Sequence, residues 1–150
     1  MPNETLIKFG YPDSLVHEYD DWVVLLRPVQ VTVASLVLAC KLDIDSVGKI
    51  PAKTFAELAT VTSDIESTLR NTFHYDKINY LLLMMVDKHV HFHVLPRYES
   101  ARSLKGEDFK DTSWPGPPNI SENMGITNEQ YEEILALLKS SWPMRTEGSG

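Results

Sequence analysis

The sequence predicts an α+β fold: an antiparallel sheet of about five strands with one long helix laid on it and a C-terminal helix beside it. Three observations predict it. Short apolar runs bounded by turn signals recur between residues 15 and 40. Residues 51–73 carry apolar side chains at spacings of three and four. Two extended runs, 78–86 and 88–97, then follow with only Asp87-Lys88 between them, which predicts a tight hairpin.

The elements follow in chain order. Leu15–Tyr19 and Trp22–Leu26 are two strands around an Asp20-Asp21 turn, and Arg27-Pro28 interrupts them. Ser35–Cys40 is nearly all apolar, as a central strand covered on both faces should be. A loop, 43–49, leads to Ile50-Pro51, and Pro51 is tolerated in the first turn of the long helix. Phe55, Leu58, Thr62, Ile65, Leu69 and Phe73 form its expected buried stripe, with Thr54, Glu57, Asp64, Glu66 and Arg70 mostly on the wet side. A two-residue turn at Asp87-Lys88 would pair Val86 with His89, Met84 with His91 and Leu82 with His93. After Tyr98 the chain reads as loop, including Trp114-Pro115-Gly116-Pro117-Pro118. Thr127 and Gln130 have the spacing of a capping box, which starts the last helix; Tyr131, Ile134, Leu135 and Leu138 supply its buried stripe. Residues 1–145 are expected to form one domain, and 146–150 have the composition of a flexible tail.

A chain of 150 residues is long enough to bury a real core. Its net charge of −7 argues against a general grip on a nucleic acid backbone, which needs an excess of basic residues. It does not argue against a mononucleotide or dinucleotide, whose phosphates need only a few placed donors. No apolar run reaches the roughly 18 to 20 residues of a membrane span. The start lacks a basic region followed by an apolar one, and the single cysteine, Cys40, cannot close an internal disulfide. The expectation is a cytoplasmic protein without membrane association.

Within the run 88–97, His89, His91 and His93 alternate with Val90, Phe92 and Val94. On a strand, successive side chains point to opposite faces, so the three imidazoles should share one face and the apolar side chains the other. Three of the five histidines of the chain fall in these five positions, and imidazole is the side chain best suited to nucleophilic attack, proton transfer and metal binding near neutral pH. Cα atoms two positions apart on a strand are roughly 6.5 to 7 Å apart. The outer rings could then flank a phosphate centred on the middle one. The chemical alternative is a zinc pair on His89 and His91, completed from His17, His74, Asp87 or Cys40. Three ligands on one straight strand converge poorly on a single ion.

His89-Val90-His91-Phe92-His93-Val94-Leu95, followed by Pro96-Arg97, resembles the motif of the histidine triad (HIT) family. That family comprises nucleotide hydrolases and nucleotidyl transferases. The element order from about Leu15 to Tyr98 is similar too, and the chain looks like a divergent, bacterial-type, hydrolase-like member. The resemblance implies that His91 is the nucleophile and forms a nucleotidyl-imidazole intermediate. It implies that His89 helps hold the nucleophile's tautomer, and that His93 contacts phosphate oxygens. It further implies a homodimer, a small-molecule nucleotide as ligand and no required cofactor; a divalent cation would arrive bound to a polyphosphate substrate.

The chain departs from the family pattern in three places. The segment 82–88 has no glycine and no Gln or Ser, where the family carries a glycine-containing loop with a polar residue at the scissile phosphate. Val33-Ala34-Ser35 stands where many members read Pro-Gly-His, and Arg27 where an Asn or Asp is common. Arg27, Ser35, Lys88 and Arg97 are the candidate replacements as phosphate donors, and Asn79 is a candidate donor to phosphate or ribose. A hydrolase or transferase acting on a phosphoanhydride or phosphoramidate is the expected activity. A nucleotide-binding module without turnover is the alternative that the missing donors suggest.

Overall fold

The computed structural model describes residues 3–144. Its elements are α1 (Glu4–Lys8), β1 (Leu15–Glu18), β2 (Trp22–Leu26), β3 (Leu36–Cys40), α2 (Ala52–Phe73), β4 (Lys77–Leu81), β5 (His91–Arg97), β6 (Arg102–Leu104), β7 (Glu107–Phe109) and α3 (Asn128–Ser141). The expected tail, 146–150, lies outside the described residues.

The first five strands form one antiparallel sheet in the order β1-β2-β3-β5-β4. The uniformly apolar β3 is its central strand, as expected, and every one of its residues is buried. Strand alternation divides the sheet into two faces. Trp22, Val24, Leu26, Leu36, Leu38, Phe92 and Val94 meet Val61, Ile65 and Leu69 of α2 and Ile134 and Leu138 of α3. Val23, Leu25, Val37 and Ala39 meet Leu6 of α1 and Phe9, which caps it. His91 pairs with Ala39 and His93 with Val37, so their side chains belong to this second, thinly covered face.

α2 buries Ile65, Leu69 and Phe73 as expected, but its buried stripe is otherwise rotated from the one expected. Phe55 is 43% exposed, whereas Thr54 and Asp64 are buried. The rotation is explained by polar partners distant in sequence. The Trp22 indole donates to the Thr54 carbonyl (2.8 Å), the Thr54 hydroxyl to Asp21 (2.7 Å), and the Tyr19 hydroxyl to Asp64 (2.8 Å). A buried polar group that is hydrogen-bonded costs little, so these residues face inward.

The tight hairpin before the triad is also absent. β4 ends at Leu81, which pairs with His93, and a nine-residue loop, 82–90, precedes β5. The register is thus one residue from the expected one, which exchanges the faces of the β4 side chains. The backbone of Val90 explains the early break. Its N–H donates to Ile44 O (3.1 Å) and its carbonyl accepts from Cys40 N (3.0 Å), so it pairs toward β3 and the segment after it rather than toward 82–86.

Three short elements, α1, β6 and β7, lie outside those expected from the sequence. α1 is too short to show a helical period, and its side chains cover the triad face. β6 and β7 form a two-stranded hairpin across Lys105-Gly106, both with positive φ, which glycine tolerates at no steric cost. α3 begins as expected, with both capping-box bonds between Thr127 and Gln130 present.

Candidate active site

The site is built where β5 meets α1. The His91 ring is buried, and its Nδ1 lies 2.7 Å from the backbone carbonyl of His89. A carbonyl oxygen can only accept, so Nδ1 carries the proton. The neutral ring then keeps its lone pair on Nε2, the nitrogen farther from the backbone. Phe9 packs against this ring and against His93, at centroid distances of 5.6 and 5.9 Å. The His91 and His93 rings stand edge to face at 5.2 Å.

His89 does not stand beside them as an equal. It precedes β5, and its buried ring is held at both nitrogens: Nδ1 is 3.0 Å from Thr5 Oγ1 and Nε2 is 2.8 Å from Asp43 Oδ1. The expected arrangement, with both outer rings flanking a phosphate, is therefore not formed. His91 and His93 line the cavity described below, and His89 contributes its carbonyl.

His93 is 6% exposed, and its Nδ1 is buried without a hydrogen-bond partner among the described residues. Burial lowers its pKa to about 4, and the charge of Arg27 acts in the same direction. The ring is neutral at physiological pH.

A cavity of about 510 Å³ opens in front of His91 and His93. Arg27 lines it, anchored to the carbonyls of Val29 (2.8 Å) and Ile120 (3.3 Å), and no carboxylate pairs with it in the described structure. Burial holds its guanidinium below its ordinary pKa. Lys8 and Asp87 form an ion pair at the rim (2.9 Å). Leu83, Met84, Met85 and Val86 supply an apolar lip, with Met85 86% exposed. The apolar run that imitated a strand in the sequence is this lip.

The other expected phosphate donors lie elsewhere. Arg97 is buried in a bidentate pair with Asp111 (2.7 and 3.1 Å) and donates to Asn79 (2.9 Å), so each of these two candidates engages the other. Ser35 closes a turn, donating to the Thr32 carbonyl (2.7 Å) and accepting from Thr32 N (2.9 Å). Ala34 in that turn has φ +66°, the left-handed region that favours glycine. Lys88 is not among the cavity residues. Lys8, Phe9, Thr5 and Asp43 were not anticipated; their link to the triad exists only in three dimensions. Of the zinc candidates, Cys40 is in the core and Asp87 holds Lys8. Among the described residues, no three His, Cys, Asp or Glu side chains are grouped to hold a metal ion. No helix among them is long and apolar enough to cross a membrane.

Comparison with known proteins agrees with the fold. The family model described as HIT domain matches residues 10–100. A histidine triad protein of Sinorhizobium meliloti 1021 has the same fold, with a TM-score of 0.73 at 20% identity over 94% of this chain and 96% of that one. Another, from Bradyrhizobium japonicum, gives 0.73 at 16% identity over 95% and 97%. A diadenosine triphosphate hydrolase of Plasmodium falciparum gives 0.61 at 13% identity over 86% and 76%. No protein of curated function matches the sequence.

Proposed function

The chain belongs to the HIT domain family, and from that premise we propose that it is a nucleotide hydrolase or nucleotidyl transferase that cleaves a phosphoanhydride or phosphoramidate through His91. The observation that carries the reading is the 2.7 Å contact between His91 Nδ1 and the His89 carbonyl. In the neutral ring it places the lone pair on Nε2, which nucleophilic attack requires.

In the first step the Nε2 lone pair bonds to the α-phosphorus. The bond from phosphorus to the leaving oxygen or nitrogen breaks, and the leaving group takes that electron pair and, where it needs one, a proton from solvent. In the second step water, or an acceptor hydroxyl, bonds to the same phosphorus and loses its proton to solvent. The phosphorus–nitrogen bond breaks, and the neutral ring is restored. Arg27 supplies positive charge to the non-bridging oxygens, and an anion in the cavity would give its half-buried guanidinium the counter-charge it lacks. His93, neutral and in edge contact with His91, offers an N–H to the same oxygens.

The similarity to a diadenosine triphosphate hydrolase supports the choice of that dinucleotide as one probe, with adenosine 5′-phosphoramidate as the other. His91→Ala and His91→Gln should abolish turnover of both while circular dichroism stays unchanged. Turnover at the wild-type rate in either folded variant overturns the proposal; binding without turnover in the wild type would favour a nucleotide-binding module.

A further inference from the structure

We propose that Thr5 and Asp43 are positioning residues for the nucleophile, acting through the ring of His89. The inference rests on the reading of His91 as that nucleophile. The acceptor that sets the His91 tautomer is the His89 carbonyl. Residue 89 lies outside β5, which begins at His91, and its carbonyl shares a planar peptide with the Val90 N–H, which donates to Ile44 O (3.1 Å). The His89 side chain is the second hold on this carbonyl.

The geometry defines the protons. The Asp43 carboxylate only accepts, so His89 Nε2 carries hydrogen and donates over 2.8 Å. In the neutral ring Nδ1 is then the acceptor, and the Thr5 hydroxyl donates to it over 3.0 Å. A ring held at both nitrogens cannot turn without breaking one bond. The two clamps come from separate segments: Thr5 is on α1, 84 positions away, and Asp43 follows β3, 46 positions away. Ile44, next to Asp43, accepts the backbone N–H of Val90 (3.1 Å). One short segment therefore holds the side chain of residue 89 and the backbone of residue 90.

Neither clamp is ordinary core packing. Thr5 is buried, with its hydroxyl directed at an imidazole. The Asp43 side chain is 89% exposed, and it reaches from solvent to a buried ring. As Nε2 bonds to phosphorus, the His91 ring gains positive charge, which polarises Nδ1–H toward the His89 carbonyl. An acceptor held in place before the reaction stabilises that charge without reorganisation. A loosened one does not.

The test compares Thr5→Val and Asp43→Ala, which remove the bonds, with Thr5→Ser and Asp43→Asn, which keep a donor and an acceptor. The probes are diadenosine triphosphate and adenosine 5′-phosphoramidate, and ¹⁵N NMR reads the His91 tautomer. Each bond-removing variant should lower kcat about tenfold or more with KM nearly unchanged, the conservative pair should recover most of it, and the His91 signals should shift from the pure Nδ1–H form toward a mixture. Wild-type kcat and an unchanged tautomer in both Thr5→Val and Asp43→Ala overturn the inference while leaving the role of His91 intact. Turnover surviving His91→Gln overturns the role of His91 itself. If the wild-type protein turns over neither probe, the tautomer measurement alone decides: a shift supports the clamp and no shift overturns it.

Discussion

Acidification should destabilise the fold through His93 in a defined window. The ring is buried, its Nδ1 has no partner among the described residues, and its pKa is lowered to about 4. In the unfolded chain the same ring returns to its ordinary value near 6.5. Between these values the unfolded state holds one proton more than the native state, so stability falls as pH falls, by about 1.4 kcal/mol per pH unit. Above pH 6.5 both states are neutral and the effect vanishes; below 4 both are protonated and the loss levels off. Integrated from pH 7 to pH 5, the loss from this one ring is about 2 kcal/mol. Urea unfolding followed by circular dichroism at the two pH values, for wild type and His93→Gln, isolates it. The other titrating groups are common to both proteins, and only the difference between their losses counts. The wild type should lose about 2 kcal/mol more than the variant over this interval. Equal losses would refute the account of His93 as a neutral, desolvated ring.

Two further outcomes follow from the fold. Asp111→Ala would leave the Arg97 guanidinium buried without its bidentate partner, and should cost about 3–5 kcal/mol in urea unfolding; a loss below about 1 kcal/mol would contradict the burial of that pair. His74 ends α2 in the left-handed conformation, at φ 53°, and its N–H donates to the carbonyls of Leu69 and Arg70. His74→Gly should therefore raise stability by about 1 kcal/mol, and a lowered melting temperature would speak against strain at that cap.

Local chemistry made several elements legible in the sequence. The alternation of His91, Phe92, His93 and Val94 already separates the triad face from the core face, because side-chain direction on a strand is a property of the backbone. The apolar β3 and the capping box of Thr127 and Gln130 are local signals of the same kind. What was missed depends on contacts between distant segments. Residues 82–86 are as apolar as a strand, and only the pairing of Val90 with Ile44 and Cys40 makes them a cavity lip. Asp64 and Thr54 look solvated until Tyr19, Trp22 and Asp21 are brought to them. Arg97 looks like a phosphate ligand until Asp111 occupies it. The clamp on His89 has no sequence signature, since nothing in a short N-terminal helix indicates that one hydroxyl will face an imidazole.

The most direct test of the central claim is the site of the covalent adduct. Wild-type protein mixed with diadenosine triphosphate or adenosine 5′-phosphoramidate, quenched within the first turnover in alkaline denaturant and mapped by mass spectrometry, should carry one nucleotidyl group, on His91. A nucleotidyl group on His89, His93 or any other residue, or turnover of these probes with no adduct at any quench time, would contradict it.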